Sequence, residues 1–170
     1  YRTNVVIYFR LILYISVYVY LPLISLNGIL LTMSETQLKK FPDDFFFVAA
    51  TASYQVEGGI ENTDWAKAAR EERVPLCGDA CDHYNRYEED FDIAKSLGHS
   101  AHRMSVEWAR IEPEEGKFDL EAIKHYQKVG KALQDRGTHP GITLWHFTLP
   151  LWFSESGGFE RSDSPEIFAR

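Results

Sequence analysis

Hydrophobic positions along this chain fall into two alternating patterns. An unbroken apolar run occupies residues 45–53 (FFFVAATAS), and further strand candidates fall at 101–106 (AHRMSV) and 140–147 (PGITLWHF). Continuous apolarity over four to eight residues predicts strands buried on both faces, as in a parallel sheet. Between the runs the spacing changes to steps of three and four. Tyr84, Tyr87, Phe91, Ala94 and Leu97 line one face of a helix predicted over 82–98. Leu120, Ile123, Tyr126, Val129, Ala132 and Leu133 do the same over 119–137. Asp82 and Asp119 are placed to cap the two amino termini, and Gly98 and Gly137 to stop the helices. A third helix is predicted to begin near Ser164. The stretches 60–82 and 107–118 read as loops, the first long enough to be functional. Strand, helix, strand, helix, strand, helix is the order of βαβ units on a parallel sheet.

The first 32 residues depart from this pattern. Leu11–Thr32 carries no charge over 22 residues, long enough to cross a bilayer at about 1.5 Å per residue. Arg2 and Arg10 precede it, as in a signal sequence or anchor. Met33 then opens a polar stretch typical of a cytoplasmic start. Residues 1–32 are therefore expected to be either a membrane segment, which anchors or exports the protein, or upstream sequence read in frame. Residues 33–170 form the expected folded part.

The net charge is −7. Setting aside Arg2 and Arg10 leaves 16 basic against 25 acidic side chains from Met33 onward. No basic cluster is present to neutralise phosphates, which argues against nucleic acid. Cys77 and Cys81 form a C-x3-C pair with no second pair, so two free thiols are expected rather than a zinc site, although His83 stands close enough in sequence to add a third ligand. Aromatic residues make up 14% of the chain, which suits a core or a sugar-stacking cleft.

Three segments carry a family resemblance. FFFVAATASYQVEGG (45–59) resembles the amino-terminal motif of glycoside hydrolase family 1, the retaining β-glucosidases and β-galactosidases. HRMSVEWARIEPEEGKFD (102–119) resembles the family's second-strand segment, and ITLWHFTLPLWF (142–153) its third. The Gly-Gly-Phe at 157–159 falls where the family has a Gly-Gly-Trp-like turn. In order and spacing they cover residues 41–170 almost continuously. The resemblance implies a (β/α)8 TIM barrel, a fold of roughly 250 residues or more. With 138 residues from Met33 onward, the first three βα units are expected.

In such a barrel the active site lies at the carboxyl ends of the strands. Those ends supply Gln55 and Glu57, Arg103 to Glu107, and His146 with Phe147. The small residues before Gln55 let the strand end approach a bound ring. The resemblance implies that Gln55 and His146 hold hydroxyls of the substrate's terminal sugar, and that Arg103 supports the nucleophilic carboxylate. The plainer alternatives are a strand-end hydrogen bond, a core histidine and an ordinary salt bridge. Glu57 is assigned a structural or loop-closing role. Trp108 and Trp145 are assigned to packing, and Phe147 stands where many members have Trp, which leaves the leaving-group preference open.

Retaining hydrolysis uses two carboxylates about 5–5.5 Å apart. The family draws them from Asn-Glu-Pro and Glu-Asn-Gly motifs, and neither tripeptide occurs in this sequence. No catalytic carboxylate is assigned, no metal or cofactor is expected, and the 170-residue chain alone is expected not to hydrolyse glycosides. The expected substrates of the whole enzyme are small β-glycosides with terminal glucose or galactose. The alternative is a non-catalytic, membrane-anchored carbohydrate-binding protein.

Overall fold

A computed structural model describes residues 40–170. The leader at 11–32 and the expected boundary at 32/33 lie outside the described residues. Pro42–Arg170 forms a compact unit, and of the preceding unit only Lys40 and Phe41 are described. Among the described residues no helix is long and apolar enough to cross a membrane.

Three parallel strands make the sheet, in the order β1 (Val48–Ala50), β2 (Ala101–Ser105), β3 (His139–Thr143). Ala50 pairs with Arg103, and Arg103 with Gly141. Among the described residues seven α-helices fill the connections, with a short 3-10 helix at Gly158–Glu160. After β1 come α1 (Ser53–Val56), α2 (Asp64–Arg70) and α3 (His83–Ser96). After β2 come α4 (Trp108–Ile111) and α5 (Leu120–Asp135), and after β3 come α6 (Leu151–Glu155) and α7 (Ser164–Phe168).

Helices α3 and α5 pack against the central strand β2 because their apolar stripes meet there. Phe91 from α3, Met104 from β2, and Tyr126, Val129, Ala132 and Leu133 from α5 form one buried cluster. Each fully buried large side chain of this kind contributes roughly 1.5–3 kcal/mol. Both helices end as their glycines predict. Gly98 and Gly137 adopt φ of +85° and +63°. The Gly137 N–H bonds the Gln134 carbonyl while Thr138 N–H bonds Leu133, and Gly98 and His99 repeat the scheme on Lys95 and Ala94. That is the Schellman arrangement, which satisfies carbonyls left open at a helix end.

Several expectations need correction. The first strand is three residues long and exposed, with Val48 retaining 51% of its accessible surface. Among the described residues it is bonded to β2 alone, and with three of eight barrel units present its apolar side chains lack the double burial that the run predicted. The third strand ends at Thr143, short of the predicted 147. Leu97 and Leu120 are exposed at the ends of their stripes. Asp119 caps α5 as expected, its Oδ1 accepting from Glu121 and Ala122 N–H. Asp82 does not cap α3, because its left-handed backbone, φ +56°, turns the carboxylate elsewhere and it accepts from Asn85 Nδ2.

The two predicted loops contain helices. In 60–82, Thr63 caps α2 by accepting from Ala66 N–H, and Asp64 fastens the segment to the loop after β3 by accepting from Leu149 N–H at 2.9 Å. In 107–118, Glu107 caps α4. A glycine is required at one point of the long connection: a Cβ on Gly58 would lie 2.2 Å from the Asp79 carbonyl oxygen.

Candidate active site

The carboxyl ends of the three strands define a polar rim. Arg103, half-buried in β2, points its Nη2 at Nδ1 of His146, 3.3 Å away. A guanidinium only donates, so His146 accepts at Nδ1 and carries its proton on Nε2. Partial burial and the adjacent Arg103 both hold the His146 pKa below the ordinary value. A neutral imidazole with a free Nε2–H donor is the result. Among the described residues Arg103 forms no ion pair with a carboxylate.

His146 lies three residues past the end of β3, beside Phe147 at φ +67°, a conformation that costs a non-glycine residue about 1–3 kcal/mol. The turn is held by Thr148, whose N–H bonds the His146 carbonyl at 2.9 Å. Gln55 sits on α1, one turn beyond β1, and is exposed. The structure thus brings Arg103 and His146 together and leaves Gln55 on the same rim, with no side-chain hydrogen bond to either among the described residues. Aromatic contacts tie the two flanking loops. Tyr54, next to Gln55, meets Trp65 at 5.8 Å between ring centres, and Trp65 meets Phe147 at 6.4 Å.

Two buried carboxyl groups lie beneath this rim. Glu57 accepts from Arg110 Nε at 2.9 Å and from the Tyr126 hydroxyl at 3.0 Å, and Arg110 also stacks over the Tyr84 ring. Burial raises the Glu57 pKa while Arg110 and Tyr126 oppose the rise. This geometry fits a structural post. Glu107 is 1% exposed and has no cation in contact. Its Oε2 accepts from Ser53 Oγ at 2.9 Å and from Thr148 Oγ1 at 3.0 Å, and its Oε1 takes the Ala109 N–H at 3.4 Å. Burial pushes the Glu107 carboxyl up to about 7, against the pull of those hydrogen bonds. Sequence reasoning placed Glu107 on the rim without a task and passed over Ser53 and Thr148. The available hint was an acid directly between a strand and the helix-forming Trp-Ala-Arg-Ile.

Trp108 belongs to a buried cluster with Phe153 and Ile167. Trp145 is exposed and packs on Phe159, 4.6 Å between ring centres. Cys77 and Cys81 are free thiols, the former donating to the Tyr54 carbonyl. Among the described residues no group of three or more His, Cys, Asp or Glu is arranged to hold a metal ion.

Parallel βα units with their polar residues gathered at the carboxyl rim define the opening part of a (β/α)8 barrel, of which three units are present here. The profile of Glycosyl hydrolase family 1 matches residues 37–170, and the chain belongs to that family. Beta-glucosidase A of Acetivibrio thermocellus is 37% identical over 138 residues, which cover 75% of this chain and 31% of that protein. Among solved structures, the beta-glycosidase BGL167 is 46% identical with a TM-score of 0.70, over 76% of this chain and 32% of its own. The family 1 β-glucosidase from Thermotoga maritima superposes with a TM-score of 0.72 at 33% identity, over 78% and 32%. The chain spans about a third of the length of the curated relatives it matches.

Proposed function

We propose that this chain supplies the sugar-gripping wall of a retaining β-glycosidase that releases terminal β-linked glucose or galactose from small glycosides. Gln55 and His146 hold hydroxyls of the terminal sugar, the first through its amide and the second through Nε2–H. Arg103 stands ready for a carboxylate supplied from elsewhere in a complete barrel. A fixed cation keeps such a nucleophile ionised and oriented. Two carboxylates do the chemistry in this mechanism, so no cofactor or metal enters it.

The observation that carries the reading is the Arg103–His146 contact at the carboxyl rim of a parallel sheet. It leaves a cation with no acidic neighbour among the described residues beside a neutral donor. Relatives named as β-glucosidases support the same reading.

The test is a chimera in which residues 37–170 replace the matching third of the Acetivibrio thermocellus β-glucosidase. A folded chimera is expected to cleave an aryl β-glucoside, and Gln55→Ala or His146→Ala to lower kcat/KM roughly 10- to 100-fold each. The 170-residue chain without the remaining two thirds is expected to show no turnover. A folded but inactive chimera, or full activity after both substitutions, overturns the proposal.

A further inference from the structure

The loop after β1 carries Gln55, and the loop after β3 carries His146. These two loops belong to different βα units and meet at one atom. Glu107 Oε2 receives Ser53 Oγ from α1 and Thr148 Oγ1 from the turn that follows His146. Ser53 is itself pinned from below: its N–H donates to Ser105 Oγ at 2.8 Å, and Ser105 Oγ donates to Ser53 Oγ at 3.1 Å. The backbone N–H of Glu107 bonds the Tyr126 hydroxyl at 3.0 Å, which anchors the backbone of Glu107 to α5. Thr148 directly follows the strained Phe147, so the same bond secures the turn that aims His146.

We propose that Glu107 is a positioning residue, a buried carboxyl that buckles the β1 loop to the β3 loop and so sets the spacing between Gln55 and His146. Its relevance to sugar binding rests on the function proposed above; the buckle itself does not.

The charged and titratable groups facing Glu107 are few. Glu57, after α1, lies close enough to raise its pKa further, and Arg110 on α4 is committed to Glu57. Tyr126 on α5 is held as the neutral phenol, mainly by burial. No cation offsets the desolvation of Glu107. Serine and threonine hydroxyls can donate or accept, so they serve both protonation states, but burial favours the neutral one. A carboxyl whose pKa is higher in the closed buckle than in water stabilises the closed form when protonated. The buckle therefore holds at mildly acidic pH and loosens as pH rises through about 7.

Hydrogen exchange of the 170-residue chain, followed by mass spectrometry and corrected for intrinsic rates, tests this. Peptides covering 52–57 and 146–149 are expected to lose protection together, on the order of tenfold between pH 5.5 and pH 8. Glu107→Gln keeps the shape and mimics the protonated group, so it is expected to keep both peptides protected with no such pH dependence. Thr148→Val is expected to release both loops at either pH. Loops that respond separately, a pH response unchanged in Glu107→Gln, or exchange at unfolded-chain rates in both loops throughout overturns the proposal. The readout contains no sugar, so its failure leaves the roles of Gln55 and His146 standing, and their failure leaves the buckle standing.

Discussion

Glu57 and Glu107 both carry buried carboxyl groups, and the Tyr126 hydroxyl bonds the carboxyl of the first and the backbone N–H of the second, yet the two acids are built on opposite terms. Glu57 has Arg110 against it and the Tyr126 hydroxyl donating to it. Glu107 has two hydroxyls, one distant N–H and no cation. Burial raises both; Arg110 and Tyr126 oppose the rise at Glu57, while Glu107, opposed only by neutral hydrogen-bond donors, is pushed up to about 7. The contrast shows what a cation does for a buried acid. Arg110 opposes the rise at Glu57 and makes a post of it, whereas hydroxyl partners leave Glu107 to titrate where two loops are joined.

Removing the cation should break the contrast most severely. Arg110→Ala leaves Glu57 buried without its counter-charge, and a loss of about 3–5 kcal/mol in stability is expected by denaturant titration. Separating the two acids by pH gives the next largest effect. Glu107, raised in the fold, contributes stability that is full below about 4.5, its unfolded value, and lost as pH rises through about 7. His102 works in the opposite direction: burial lowers it to about 4, so its contribution is full above 6.5 and lost as pH falls through about 4. The two slopes oppose each other between about pH 4.5 and 6.5. Glu107→Gln removes one of them, so stability should fall toward acid more steeply than in the parent chain, by about 1.4 kcal/mol per pH unit. An unchanged slope would show that Glu107 does not titrate there. The smallest effect is expected from Tyr126→Phe, which takes a hydrogen bond from the Glu57 carboxyl and another from the Glu107 backbone N–H and should cost about 2 kcal/mol in the same titration.

The helical layer was the most legible part of the sequence. The stripes from Tyr84 and Leu120, the cap at Asp119 and the stops at Gly98 and Gly137 are local features, and local spacing encodes them directly. The apolar run at 45–53 reports what a strand buries in a closed barrel, whereas the three units described leave β1 bonded on one side only. The contact between Arg103 and His146 was legible only through the family resemblance, since nothing local joins positions 43 residues apart. Glu107 was the hardest. Its position in the sequence puts it on the polar rim with no task, at the head of a stretch that reads as a loop and also holds Glu112, Glu114 and Glu115. Glu107 and Glu112 are in fact buried, while Glu114 and Glu115 face water. Identical side chains differ there because Ser53 and Thr148 arrive from distant parts of the chain to meet Glu107, and Arg170, with the nearby Trp108, meets Glu112.

The pinch at Gly58 constrains how this rim can diversify. Because not even a methyl group fits between that residue and the Asp79 backbone, any side chain there would lift the 77–82 strip and displace the start of α3.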